Sequence, residues 1–441
     1  MASTTTYGDF PGVKVTTSGG AITGIAVGRE QKLVLIGPGD PSNGSASVNE
    51  PTMISSRLGA DRKFGDGSEL SEAMKEALSN GANINYLYGV MLDQVSVTGE
   101  TVSSSTDGTL QNAPIVEDVS TITVNDTVDS TEVTVQYRYE SDPGAPSDPD
   151  TVNLNPITGA WTADSSSDYS FDYEYYDWTT ALDSSTNVIE QEETGILGLS
   201  NESESVVTDV SGIVNTMREN YQMAMAVSAA QPTGTSSDDT PLYDTSTYTD
   251  SIDNDAVFLH APARKEGSTN TVTPALAGLM AGNSLDESIY NRALTTDDLD
   301  QRLSSSETDE LREEEVIPVR QPPSGGSVLV SDNRSTSQET DWERDYWKKR
   351  IVDQVILIAK SIGDSVIGRI NDEETRDTVE TAIEVNLRGL AQDRLIEPND
   401  GDELNWFVDV YEIDSSTVGI DIGVTPYGIV KRIETSIQIS A

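Results

Sequence analysis

A mixed α+β, multidomain fold carrying an acidic, β-rich inserted domain is predicted by three observations. The chain has 441 residues and a mass of 47.4 kDa, more than one ordinary domain holds. Its two ends carry clear helix and strand periodicities. Between them, positions 91–210 hold 24 Asp+Glu against a single cation, Arg138.

The first ninety residues read as α/β. Leu33-Val34-Leu35-Ile36 is a buried-strand run closed by Gly37-Pro38-Gly39, and positions 68–79 read as a helix capped by Ser68, with Leu70, Met74, Ala77 and Leu78 at helical spacing. In the acidic stretch, the alternation from Glu132 to Tyr139 predicts a strand, and positions 141–150 predict a Pro/Asp/Ser loop. Trp161, Phe171, Trp178 and several tyrosines are too many large side chains for a disordered linker. Farther on, Val214, Met217, Tyr221 and Met225 recur at spacings of three and four, and Ala256-Val257-Phe258-Leu259 is a second buried-strand run. Positions 271–291 begin a small-residue helix, Ala275 to Ala281, that lets another backbone come close, and 304–315 reads as a polar linker. Near the end, Thr340-x-x-Glu343 predicts a capping box. The stripe Trp347, Ile351, Val355, Ile358 and Ile362 then predicts a long amphipathic helix. A second helix, 373–392, turns Val379, Ile383, Leu387 and Leu390 inward. Three strands finish the chain, at 406–413, 418–424 and 433–439.

Lys+Arg 27 against Asp+Glu 75 gives a net charge of −48, which repels phosphate backbones and anionic membranes, so nucleic acid and direct membrane insertion are excluded as partners. The acidity is spread through patterned sequence. That is the style of salt-loving organisms, whose multimolar salt shortens the Debye length to about 3 Å or less. Cysteine is absent and histidine occurs once, which removes disulfides, thiolate catalysis and histidine metal clusters. The N-terminal stretch lacks the basic and apolar regions of a signal peptide, so a cytoplasmic site of synthesis and assembly is expected.

No constellation supports an enzyme. The loop Gly37-x-Gly39-x-x-x-x-Gly44 lacks a Lys after its last Gly and contains two prolines, so it reads as a turn. His260 follows an apolar run with no nucleophile elbow near it and reads as structural. Abundant carboxylates make chance pairs, and Asp253-Asn254-Asp255 lacks the spacing of a calcium loop. No catalytic, cofactor or metal residue is assigned. Two features point to assembly instead. Lys348-Lys349-Arg350 is a basic run in a chain poor in cations, either snorkelling on its helix or forming a docking face. Val13 and Val15 near one end, and Ile433, Thr435, Ile437 and Ile439 near the other, are edge-strand candidates able to pair within the chain or to add to a neighbour's sheet.

Phe10-Pro11-Gly12-Val13-Lys14-Val15, then Thr273-Pro274 through Ala281, then Val316 through Arg320 and Gly325 through Ser335 stand in that order along the chain, and the order resembles the contractile tail sheath proteins of myoviruses and related contractile injection systems. Phe10-Pro11-Gly12-Val13-Lys14-Val15 is similar to that family's P-G-V-Y-V opening, and Thr273-Pro274 through Ala281 to its P-S-x-A-V-A-G-x-Y-A segment. Val316 through Arg320 and Gly325 through Ser335 resemble the segment ending in W-G-A-R-T, with Ser331-Asp332-Asn333 before the Arg, and 342–362 stands where the family has its long V-R-R-L helix. The resemblance implies a structural, non-enzymatic subunit without cofactor. Its expected organisation is an N-terminal arm (1–27), a first part of an α/β sheath domain (28–95), an acidic outer domain (96–205) and a second sheath part (206–335). A C-terminal sheath domain (336–428), completed by the N-terminal segment, and an arm strand (429–441) follow. It further implies stacked six-fold rings around a tail tube, arms exchanged between subunits, and contraction that drives the tube through a host envelope. Implied partners are further copies, the tube protein, and baseplate and terminator proteins, in a virion tail. Lys348, Lys349 and Arg350 become candidates for touching the tube, and the acidity suggests a haloarchaeal virus. The alternative is another self-assembling halophilic protein, such as a capsid, adhesin or S-layer component.

Overall fold

A computed structural model describes residues 32–428, apart from 82–83, 85, 119, 130, 140–142, 191–193, 233, 236–240, 243–245, 263, 267–269, 323–324, 339–343 and 401–404, together with 5–6 and 16–17. The chain opens with β1 (Thr5–Thr6), β2 (Thr16–Thr17), β3 (Lys32–Gly37), β4 (Thr52–Ile54), α1 (Arg57–Phe64), α2 (Glu69–Asn80) and β5 (Tyr86–Met91). Then come β6 (Gln94–Thr109), β7 (Thr123–Asp126), β8 (Thr131–Tyr137), β9 (Thr151–Leu154), β10 (Ala160–Tyr176), α3 (Trp178–Glu190) and β11 (Thr194–Leu199). Next are α4 (Glu204–Glu219), β12 (Met223–Ala229), β13 (Gly234–Thr235), β14 (Pro241–Leu242), α5 (Ser246–Ile252), β15 (Val257–Ala261) and α6 (Thr273–Gly282). The last are β16 (Ala293–Leu294), α7 (Ser305–Glu313), β17 (Ile317–Arg320), β18 (Val328–Val330), α8 (Tyr346–Val366), α9 (Glu373–Gln392), β19 (Trp406–Asp414) and β20 (Thr417–Val424).

The main sheet runs β16-β18-β17-β15-β12-β11-β3-β5-β4. Its centre is parallel, and the outer strands β4, β18 and β16 pair antiparallel. Strands β3, β11, β12 and β15 are buried at every position, as a parallel sheet covered by helices on both faces requires. Helix α6 is buried from Thr273 to Ala281 and lies against α2. Its small residues serve the close approach their composition suggests: a Cβ on Gly278 would sit 2.6 Å from the Ala77 carbonyl oxygen and 2.7 Å from its Cα.

The acidic stretch folds into a second, five-stranded sheet, β6-β10-β7-β8-β9. Along β10 side chains alternate inward, and Trp161, Tyr169, Phe171 and Tyr173 form the core, with the Trp161 ring centroid 5.1 Å from Phe171 and 5.5 Å from Tyr169. These rings pack in one core with Leu110, Ile115, Ile122, Val124, Val133, Val152 and Leu154.

Several expectations are corrected. The second sheet ends at Tyr176, and β11, expected within 96–205, is a central strand of the main sheet. Its carboxylate-rich flanks masked an apolar strand. The supposed linker 304–315 contains α7, closed by a capping box between Ser304 and Glu307. Met225 belongs to β12 rather than to the helix before it, and α6 stops at Gly282. Helix α8 starts at Tyr346, where the Asp345 carboxylate accepts from the amides of Trp347 and Lys348. The expected capping box at 340–343 and the arm residues Val13, Val15, Ile433, Thr435, Ile437 and Ile439 lie outside the described residues.

The Gly278 contact is with backbone, so no side-chain rearrangement relieves it. Gly278→Ala should cost about 1–3 kcal/mol, whereas Gly212→Ala on α4, where nothing lies within 4 Å of the new methyl, should be neutral or stabilising by up to about 1 kcal/mol. Urea melts of the two variants check this, and equal stabilities would contradict the packing.

Candidate assembly site

Helix α8 is apolar on two sides. Trp347, Ile351 and Ile358 pack with α9 and the β19–β20 hairpin, while Val352, Ile356 and Leu357 pack against Tyr221 and Met223 at the start of β12. Between these faces the basic run is used internally. Lys349 is 2% exposed and its Nζ donates to Asp255; Arg350 is 5% exposed and donates to the carbonyls of Ser284 (3.1 Å) and Asn283 (3.0 Å). One turn on, Asp353 receives both Nη groups of the buried Arg218, which also donates to the Ala224 carbonyl at 3.1 Å. Burial pushes the Lys349 ammonium below its ordinary range, and the Arg218 charge adds to this; Asp255 is nonetheless held low by these two cations against its own burial. Lys349 and Arg350 are therefore corrected: they face the body of the chain, because leaving either charge buried without a partner would cost several kcal/mol. Lys348 alone of the three is half-buried.

Beyond α8, the β19–β20 hairpin is a sheet of two strands, and among the described residues neither outer edge pairs along its length. Trp406, Val410, Ile420 and Val424 face α9 and α8. The opposite face exposes Phe407 (45%), Tyr411 and Ile413 (59%), with Phe407 and Tyr411 opposite Gly423 and Gly419. A two-stranded ribbon with bare backbone edges is marginal alone and is a template for strand addition.

A second charged site joins the two sheets. Arg264, beyond β15, donates from Nε to Glu202 Oε1 at 2.6 Å and from Nη2 to Oε2 at 3.3 Å. Its guanidinium lies 4.0 Å from the Tyr139 ring centroid, and the Tyr139 hydroxyl donates to Glu117 at 2.6 Å. Burial, reinforced by Glu117, pushes the Glu69 carboxyl up to about 8. Sequence reasoning missed both clusters; the available signal was a cation beside an apolar helical stripe, as Arg218 follows Met217.

The remaining sequence candidates are structural. The amides of Asp40 and Gly44 are taken by the carbonyls of Phe64 and Asp40, so the glycine loop is a turn. His260 is fully buried, its Nδ1 3.2 Å from the Pro262 carbonyl and its Nε2 2.8 Å from Thr273 Oγ1. A carbonyl only accepts, so Nδ1 carries the proton and Nε2 accepts from Thr273. Asp61, Asp66 and Glu72 converge as metal ligands would, but Lys75 Nζ lies 2.5 Å from Asp61 and 2.7 Å from Glu72 and fills that position.

No family model and no curated protein matches this sequence. Solved structures do match in fold. A chain of the anti-feeding prophage baseplate superposes with a TM-score of 0.58 at 14% identity, covering 98% of this chain and 100% of its own. The anti-feeding prophage helical sheath in its contracted state gives 0.57 at 15% identity, covering 98% and 100%. The sheath tail protein of Listeria innocua gives 0.53 at 14%, covering 91% and 96%. The chain thus has the fold of contractile sheath proteins along nearly its whole length.

Two outcomes test the internal charges. Asp353→Ala leaves Arg218 buried without its carboxylate and should cost about 3–5 kcal/mol, most of it restored by Arg218→Met with Asp353→Leu; a cost below about 1 kcal/mol would contradict the buried pairing. Burial holds His260 at about 4 against an ordinary 6.5. Below 6.5 the unfolded chain takes up a proton that the folded chain refuses, so stability falls between these values, by about 3 kcal/mol in all. Carboxylates raised by burial act in the opposite sense, so the check is the difference between wild-type and His260→Gln melts across this range. Identical pH slopes would refute it.

Proposed function

We propose that this protein is the sheath subunit of a contractile tail or injection machine. It polymerises as stacked six-fold rings around a tail tube and repacks to a shorter, wider lattice to drive the tube forward. The observation that carries this reading is the β19–β20 hairpin. It is held rigidly by α8 and α9 with its backbone edges open, in a chain whose two ends each carry an alternating strand pattern. Arms containing Val13 and Val15, and Ile433, Thr435, Ile437 and Ile439, supply strands to the hairpins of neighbouring copies. The main-chain hydrogen bonds so formed keep subunits linked while their bodies rotate. A repeated, non-closing contact of this kind along an axis generates a tube. Free energy for contraction is stored in the lattice, and no step requires a hydrolytic residue or a cofactor.

The second sheet, whose stretch of sequence carries a single cation among many carboxylates, faces outward into brine, and the particle belongs to a salt-loving host, a haloarchaeal virus fitting the composition best. Lys348 is the member of the basic run left to touch the tube. Baseplate and terminator proteins complete the set of partners.

Negative-stain microscopy in multimolar KCl, where screening lets such acidic subunits approach, tests the reading. Wild-type protein should form hollow striated tubes, and removal of residues 433–441 should leave it folded but unpolymerised. Shells or flat sheets would favour a capsid or surface-layer protein, and tubes from the truncated chain would refute the arm mechanism.

A further inference from the structure

A cavity of about 300 Å³ lies at the carboxyl ends of β3 and β11, against the segment that links β6 to β7. The open end of a parallel sheet is where such folds hold ligands. Its lining carries four carboxylates, Glu69, Glu117, Asp118 and Glu202, against one cation, Arg264. Arg264 is committed to Glu202 by two hydrogen bonds. Glu69, at the first turn of α2, has no hydrogen-bond donor to its carboxylate among the described residues. Two further side chains in the wall are more than nine-tenths buried and lack a partner for a polar atom among the described residues: Thr271 at Oγ1 and Trp178 at Nε1. Buried polar atoms are satisfied by protein or by ordered water, so this wall is built for contents that are wet and positively charged.

We propose that this cavity binds a hydrated divalent cation of the Mg²⁺ type, which fastens the second sheet to the main sheet. Glu117 and Asp118 belong to the segment leaving the second sheet, whereas Glu69 and Glu202 belong to the body, so the ion bridges the two by charge. Among the described residues, three carboxylate oxygens converge within 4.8 Å only at Asp61, Asp66 and Glu72, where Lys75 already sits. The cavity therefore offers one or two direct carboxylate ligands and room for water. That is the setting Mg²⁺ favours, since it dehydrates reluctantly and keeps several waters. Thr271 Oγ1 is an acceptor for a proton of that water shell. The site is independent of the sheath reading and adds a partner to it.

Tb³⁺ is the probe, used in multimolar KCl so that diffuse attraction to surface carboxylates is screened. Tryptophan-excited Tb³⁺ emission should saturate and be displaced by Mg²⁺. Trp178→Phe should remove most of that emission, and Mg²⁺ affinity of the variants is measured by calorimetry. Glu69→Gln should weaken Mg²⁺ at least tenfold, and so should Glu117→Gln, whose exposed position spares the core. Asp66→Asn should change nothing. Emission that survives Trp178→Phe, Mg²⁺ affinity unaltered in both Gln variants, or displacement by glycine betaine but not by Mg²⁺ would each overturn the proposal.

Discussion

The rest of the molecule depends on the way α8 is clamped. One face of this helix belongs to the C-terminal module and the other to the main sheet, and a band of buried charge lies between, with Arg218 on Asp353 and Lys349 on Asp255. Apolar packing alone would let the helix slide; paired charges fix its register, since any displacement strands a charge in a low-dielectric interior. The β19–β20 hairpin is thereby presented as a rigid fixture of the body. Under the proposed strand exchange, force on the hairpin would then move the body and not peel the module away.

The economy of cations follows the same logic. With 27 Lys and Arg against 75 Asp and Glu, the chain spends several of its positive charges inside. Arg218 and Lys349 hold α8, Arg264 holds Glu202 and stacks on Tyr139, and Lys265 meets Glu76 at 2.5 Å. Surface pairs would be worth little in concentrated salt, whereas buried pairs are screened far less. The exterior is left with a large excess of carboxylates, and on the proposed reading salt would lower the repulsion between copies.

Much of the fold was legible because burial imposes periodicity. The runs at Leu33–Ile36 and Ala256–Leu259, the Ser68 cap of α2 and the inward stripe of α9 all stand where their spacing placed them. The failures share a cause, namely that local composition outvoted pattern. Acidic flanks hid β11, and a polar surface made α7 read as a linker although Ser304 and Glu307 spell its cap. The assembly site was half legible. Alternation announced the hairpin, but a basic run looks the same whether it snorkels outward or turns inward, and the partners that turn Lys349 and Arg350 inward, Asp255 and the carbonyls of Asn283 and Ser284, lie some 66–94 positions away in sequence.

The central claim is that the open edges of β19 and β20 are completed by other copies of the chain. Amide hydrogen exchange, compared between dispersed subunits and the polymer, measures this directly. Amides on the outer edges of both strands should exchange quickly in the subunit and become strongly protected in the polymer, while those of β12 and β15 stay protected in both. Equal protection of the hairpin in the two states would mean that its edges take no part in assembly and would contradict the account.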